Sequence, residues 1–475
     1  MSEINDRRTA WLRPEQEFES NGSGRPEGRP NIVFVFADDL GWGDLGCYGS
    51  LQIETPNLDR VAAEGLRMTE GYAASPTCSP TRFALYTGRY PGRLEGGLQE
   101  PLVSRDEQSG IPPEHPTLPS LLRDSGYSTA MFGKWHCGWL PWFSPVKSGF
   151  ETFWGNLDGA VDYFSHLDTH GHHDLYEGEQ ETDAEGYYTE LISDRAVEYL
   201  RQRDRDRPFY MHLNYTAPHW PWEGPEDVET SRKVSDSIES GRGTGLFHFE
   251  GGSVETYNRM VEALDTQLGR VLGELDEQGI ADETIFIFAS DNGGERYAFL
   301  WPFTGEKGDL EEGGIRVPML IRWPAGISGG QRSDLPVITM DLTATLLDAA
   351  GVDPDPAFPL DGESLLPWLL DGAPAPERDL LWRTREQGAV RRGKWKLLVD
   401  REAKPLWHGI FGKDGERVRL FNLESDDREK ADFALEHPEL VDELLDEWRS
   451  FDDQLLEYPP PPAFSLPGIT GGMAD

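Results

Sequence analysis

From Asn31 to about residue 451 the chain alternates short apolar runs with stretches of helical period, a pattern that restricts it to a mostly parallel sheet covered by helices on both faces. The apolar runs fall at residues 32–37, 127–132, 209–215, 284–289 and 317–322. Helical periodicity covers 57–66, 117–124, 189–201, 254–278 and 339–349. Near 374–377 a Pro/Ala linker interrupts this text, residues 388–399 read as antiparallel strands, and 438–451 read as a helix. With 475 residues, the chain exceeds the size at which one hydrophobic core stops growing. The expected organisation is a polar N-terminal tail over 1–30 and a large α/β domain over 31–373. A smaller α+β domain of antiparallel sheet plus helix is expected over 374–457, and a Pro/Gly-rich tail over 458–475.

Charge narrows the functional classes. Against 44 basic residues stand 85 acidic ones, a formal charge of -41 that repels nucleic acid and anionic membrane surfaces, so neither is an expected partner. No stretch approaches the run of about 18 apolar residues that a spanning helix needs. The first thirty residues lack the apolar core of a secretory signal, which points to a cytoplasmic location. Cys47, Cys78 and Cys137 cannot form a disulfide framework, and their spacing matches no zinc pattern.

Four of the apolar runs end in polar chemistry. The first runs into Asp38-Asp39, the fourth into Ser290-Asp291-Asn292-Gly293. In open α/β sheets the functional crevice lies beyond the carboxyl ends of the strands, so the two clusters can converge. Three carboxylates and an amide oxygen form a hard donor set that favours Ca²⁺ or Mg²⁺ over zinc. Ordinary Asx turns would produce the same residues singly. The second run leads into Gly133-Lys134-Trp135-His136, the third into Ala217-Pro218-His219. Only nine of the 44 basic residues are lysine, yet Lys134 sits at this edge and Lys307 within Gly305-Glu-Lys307-Gly308. A compact ammonium acting as a point charge gives a reason, although a solvated surface lysine and a structural histidine are the commoner roles.

A fifth element is Ser75-Pro-Thr-Cys78-Ser-Pro80-Thr-Arg82, continuing to Thr87-Gly88-Arg89. Pro80 suits a first helical turn, which places Cys78 at the cap of a helix whose free N–H groups favour anions, with Arg82 one turn on. A buried thiol on a capped helix is the alternative.

Cys78-Ser-Pro80-Thr-Arg82 with Thr87-Gly88-Arg89 resembles the signature of the type I sulfatases of the alkaline phosphatase superfamily. The other elements fall in that family's order, including Glu312-Gly313-Gly314-Ile-Arg316-Val-Pro318. Gly41-Trp-Gly-Asp-Leu-Gly46 and Asp162-Tyr163-Phe-Ser-His166 are most similar to arylsulfatases A and B and the N-acetylgalactosamine-6-sulfatases. The resemblance implies that Cys78 is oxidised to formylglycine by a separate, transiently bound generating enzyme. The hydrate's geminal diol would then act as the nucleophile toward a sulfate ester. It further implies one Ca²⁺ held by Asp38, Asp39, Asp291 and Asn292 against residue 78, with Arg82 and Lys134 holding the modified side chain and sulfate oxygens. His136 would help deprotonate the diol, and His219 with Lys307 would serve the leaving oxygen. The expected substrate is a sulfated sugar, with aryl sulfates as surrogates. A phosphonate monoester or phosphodiester hydrolase of the same superfamily is the alternative; an inactive glycan-binding scaffold is a remoter one. The irregular stretch 158–185, with His166, His170, His172 and His173, is expected at the pocket rim. Cys137 reads as a small apolar filler.

Overall fold

The computed structural model describes residues 16–22, 24–239, 251–401, 410–411 and 417–459. Its main sheet uses, in chain order, β1 (Asn31–Ala37), β2 (Leu66–Tyr72), β3 (Ser128–Gly133), β4 (Thr152–Gly155), β5 (Phe209–Asn214), β6 (Thr284–Ser290), β7 (Arg316–Arg322) and β8 (Gln331–Ser333). They lie in the spatial order β8-β2-β7-β6-β1-β5-β3-β4, with short strands extending both edges. β1 pairs in parallel with both β5 and β6, so the first strand of the α/β pattern occupies the middle of the sheet. Among these eight strands β7 runs against its neighbours, antiparallel to β2 and β6, and the short edge strands Tyr176–Glu177 and Gln180–Glu181 add antiparallel pairs beyond β4.

The period of two in β1 divides the core. Val33, Val35 and Ala37 face one layer, packing with Leu58 and Val61 of α1 (Pro56–Glu64), Ile192 and Ala196 of α4 (Tyr188–Gln202) and Leu264 and Leu268 of α5 (Val254–Glu277). Ile32, Phe34 and Phe36 face the other, against α2 (Cys78–Thr87), α3 (Leu118–Asp124) and α6 (Thr339–Ala349). A strand buried on both faces has no polar position to spare, which explains why these runs read as continuously apolar.

The small sheet is antiparallel, with β9 (Leu380–Arg383), β10 (Gln387–Arg392), β11 (Trp395–Asp400) and β12 (Arg417–Asn422) in that order. Helix α7 (Pro438–Asp452) covers one face through Val441, Leu444, Leu445, Trp448 and Phe451. The opposite face packs on the large body through Ala389, Leu398 and Phe421, beside Tyr72 and Ile338. The Trp382 indole donates to Ala73 O at 2.8 Å, and the Trp448 indole to Trp382 O at 3.0 Å. This is the expected fold class: a mostly parallel, doubly covered sheet plus a smaller antiparallel sheet with its helix.

The apolar pattern misses three strands of the main sheet, β2, β4 and β8. Leu66 was expected to close a helix, but α1 stops at Glu64 and Leu66 opens β2. Arg67, Thr69 and Glu70 are only half-buried, so the run lacks the apolar continuity that marks its neighbours. Part of the expected N-terminal tail also enters the sheet, Gln16–Glu17 pairing with Gln331 and Arg332.

Replacing Trp448 by Ala empties the contact between α7 and the small sheet and is expected to cost about 3–5 kcal/mol, read as a lowered chemical-denaturation midpoint.

Candidate functional site

The polar residues at the strand ends converge. β1 and β6 are neighbours in register, Ala37 opposite Ser290, so Asp38-Asp39 and Asp291-Asn292 emerge side by side. The Ser290 hydroxyl accepts Leu40 N at 3.0 Å and donates to Asn292 O at 2.8 Å, tying the two turns together. Asp39 adopts φ 63°, a left-handed conformation that Asp tolerates better than most residues. β3 delivers Lys134 and His136 to the same edge. His136 also has positive φ, 52°, a strained state that persists only where its surroundings hold it.

Three carboxylates meet three cations here. Arg82 donates twice to Asp291 Oδ2, from Nε at 3.0 Å and Nη2 at 2.8 Å, and Nη2 lies 3.8 Å from Asp38 Oδ2. Its remaining amine reaches Lys134 O and Asn214 Oδ1, each at 3.1 Å. The Lys134 ammonium pairs with Asp38 Oδ2, and Lys307 Nζ donates to Asp39 Oδ2 at 2.6 Å. His219 Nε2 lies 3.6 Å from the same Asp39 oxygen. Burial, and after it the neighbouring Asp38, pushes the Asp291 carboxyl up to about 6 against the pull of Arg82, Lys134 and Lys307.

Cys78 is the first residue of α2, one place inside the expected cap, which Thr77 occupies. Its sulfur and one oxygen each of Asp38 and Asp291 all lie within 4.8 Å of one another. Burial raises the thiol's pKa, opposed by Lys134 and Lys307. Thr81 staples the approach to the helix, donating to Ser75 O at 3.0 Å and accepting Ser75 N at 3.1 Å.

The two histidines are held from behind. His136 Nε2 lies 2.9 Å from Leu102 O, so this nitrogen carries the proton and Nδ1 is left as the acceptor. Nδ1 is buried with no partner among the described residues. His219 Nδ1 is held by Trp220 O. Burial, then Lys134 for His136 and Lys307 for His219, pushes both rings well below the usual histidine range.

The donors suit a hard divalent cation. Asp38 Oδ1 and Asn292 Oδ1 are buried oxygens without a hydrogen-bond partner among the described residues, beside the carboxylates of Asp39 and Asp291. Asn292 Nδ2 donates to Asp39 Oδ1 at 2.7 Å, which orients the amide. The candidate catalytic and metal-holding residues named from the sequence therefore lie in one cluster, buried except for the partly exposed Lys307. The supporting partners Leu102 and Trp220 carry no sequence signal, because they act through backbone carbonyls, whereas Asn214 closes β5 as a polar strand end like those that mark Asp38 and Asp291. At the expected rim, His170 and His172 sit in the exposed loop, whereas His166 is buried against Tyr188. Cys137 is a buried filler beside Trp135 and Tyr86.

A mostly parallel sheet that gathers oxygen donors and cations beyond its strand ends defines an α/β enzyme with its site at the carboxyl edge of the sheet. The chain belongs to the sulfatase family and is a sulfuric ester hydrolase: the family model Sulfatase matches residues 30–352, and N-sulphoglucosamine sulphohydrolase, C-terminal, matches 306–446. Arylsulfatase J of Mus musculus is 30% identical, across 96% of this chain and 84% of that protein. N-acetylgalactosamine-6-sulfatase of Homo sapiens is 34% identical, across 74% and 67%. Ps i-CgsB, solved in complex with k-i-k-neocarrahexaose, superposes with a TM-score of 0.78 at 29% identity, covering 91% of this chain and 94% of that one. The phosphonate monoester hydrolase of Agrobacterium radiobacter shares the fold, with a TM-score of 0.61 at 21% identity over 90% and 96% of the chains. Among the described residues no helix is long and apolar enough to cross a membrane.

Replacing Arg82 by Met leaves Asp291 and Asp38 buried without their shared counter-charge. The metal-free protein is expected to lose about 3–5 kcal/mol of stability, read by denaturant titration.

Proposed function

We propose that the chain hydrolyses the sulfate monoester of a sulfated saccharide, using residue 78 as formylglycine hydrate and one Ca²⁺ held by Asp38, Asp39, Asp291 and Asn292. The observation that carries this reading is the place of Cys78: at the start of a helix, against Asp38 and Asp291 and within the field of Lys134 and Lys307. When present, the hydrate supplies a nucleophilic hydroxyl and the cation neutralises charge on it and on the sulfate.

The chain's own residues then divide the work. Arg82 and Lys134 hold Asp38 and Asp291 in place and present positive charge at the helix start, where a sulfate oxygen gathers negative charge. His136, with Nε2–H committed to Leu102 O, offers Nδ1 to take a proton from the residue-78 hydroxyl. Lys307, which burial opposes but Asp39 holds above its usual range, remains an ammonium and can donate to the bridging ester oxygen, with His219 beside it. Because Cys78 is 1% exposed, a separate generating enzyme would reach it before this segment packs. The saccharide preference is supported by N-acetylgalactosamine-6-sulfatase among the relatives and by the saccharide bound to Ps i-CgsB.

Turnover of a nitrophenyl sulfate by protein with verified residue-78 conversion should stop on chelation and return with calcium. Cys78→Ala should lose at least about 10³-fold in kcat; equal rates for the variant would sink the assignment. Substitution of Lys307 or His219 by Ala should cost about 10²–10⁴-fold with a sugar sulfate and less with nitrophenyl sulfate, whose leaving group needs little protonation. A phenylphosphonate ester cleaved faster than the matching sulfate would overturn the choice of substrate.

A further inference from the structure

The small sheet sends one charged side chain deep into the large body. Lys396 of β11 is fully buried, its ammonium 2.8 Å from Glu312 Oε1 and 2.9 Å from Glu429 Oε1. Glu429 Oε2 accepts Glu312 N at 2.7 Å, so the two acids and the lysine form a closed cycle. The other Glu312 oxygen accepts from the Tyr72 hydroxyl at 2.7 Å and from Arg316 Nη1 at 3.2 Å. Glu429 holds its place with φ 54°, a conformation uncommon for a glutamate.

Glu312 begins the short helix Glu312–Ile315, and the next two residues touch both functional loops. Gly293 N, one residue beyond Asn292, donates to Gly314 O at 2.8 Å, and a Cβ on Gly293 would overlap Gly313 O. Gly313 N donates to Thr304 O at 2.7 Å; a Cβ on Gly313 would overlap Gly305 O, and one on Gly314 would overlap Asp309 O. Lys307 N bonds Gly294 O at 3.0 Å, and Gly308 N bonds Pro76 O at 2.9 Å, two residues before Cys78. The turn is thus wedged without slack between the Asn292 loop and the Lys307 loop.

We propose that Lys396 is a positioning residue for the sulfate-ester site, neutralising Glu312 and Glu429 so that the Gly313–Gly314 turn keeps Asn292 and Lys307 in register. It touches no reacting atom. Without the ammonium Glu312 keeps Tyr72 and Arg316, but the bridge that ties it and Glu429 to β11 is lost, and the turn is free to shift between the two loops. This rests on the proposed roles of Asn292 and Lys307.

The test uses the full chain with Lys396→Met/Glu429→Gln, which removes one charge of each sign. Hydrogen exchange is read without metal or substrate, and turnover on converted protein. The expected result is faster exchange confined to residues 291–315, and a kcat about 10- to 100-fold lower with KM for nitrophenyl sulfate nearly unchanged. Lys396→Arg, which keeps a donor for both acids, should recover most of the kcat. A folded double variant with wild-type exchange at 291–315 and wild-type kcat overturns the proposal, as does a rise in exchange spread evenly over the molecule. If the double variant does not fold, Lys396→Gln, retaining one donor, is judged by the same two readouts. Wild-type protein lacking turnover would defeat the proposed chemistry while the exchange result still decided the role of Lys396.

Discussion

Three carboxylates buried at the ends of two adjacent parallel strands have to be neutralised, and much of the site's construction follows from how this is done. Asp38, Asp39 and Asp291 leave water when the sheet is covered, at a penalty of several kcal/mol per ion unless matched charges stand close by. The matching cations come from three separate places: Arg82 from α2, Lys134 from the end of β3, Lys307 from the loop before the Glu312 turn. None lies near its partner in sequence, so the neutral cluster exists only once the sheet has assembled. A chain that is strongly acidic overall therefore carries a locally neutral site, because close pairing of Asp38, Asp39 and Asp291 with Arg82, Lys134 and Lys307 outweighs net charge at short range.

The apolar layers make this possible by giving the charges a rigid frame. β1 is filled on both faces by Ile, Val and Phe, and its two neighbours run parallel to it, so three strand ends deliver polar residues to one edge. The start of α2 is brought to the same edge because its apolar residues Phe83, Leu85 and Tyr86 pack under the sheet. Residue 78 thereby meets Asp38 and Asp291. The small sheet packs against β2 and the Glu312 turn, so its energetic connection to the site runs through buried charge as well as hydrophobic area.

The legible parts of the site were those with a local signature. Asp38-Asp39 and Asp291-Asn292 stood out as polar breaks after apolar strands, and Cys78, Pro80 and Arg82 as a helix start suited to anions. Lys134 and Lys307 were conspicuous because lysine is rare in this chain. What escaped were residues whose role depends on a distant partner. Leu102 and Trp220 act through carbonyl groups that every residue possesses. Lys396 reads as one charged position in an antiparallel strand, and its burial follows from the way β11 docks on the large body. β2 was hidden for a related reason: its half-buried Arg67, Thr69 and Glu70 dilute the apolar run.

By itself the sequence determined the class of sheet, the existence of apolar strands such as β1 and the set of side chains available at their ends, since these depend on periodicity and on residue chemistry. Tertiary structure alone decided which carboxylate faces which cation, which nitrogen of His136 is left free, and how tightly the Gly313–Gly314 turn bears on Asn292 and Lys307. Those are distances between groups up to hundreds of residues apart, and chain connectivity constrains such distances only after the core has closed around them.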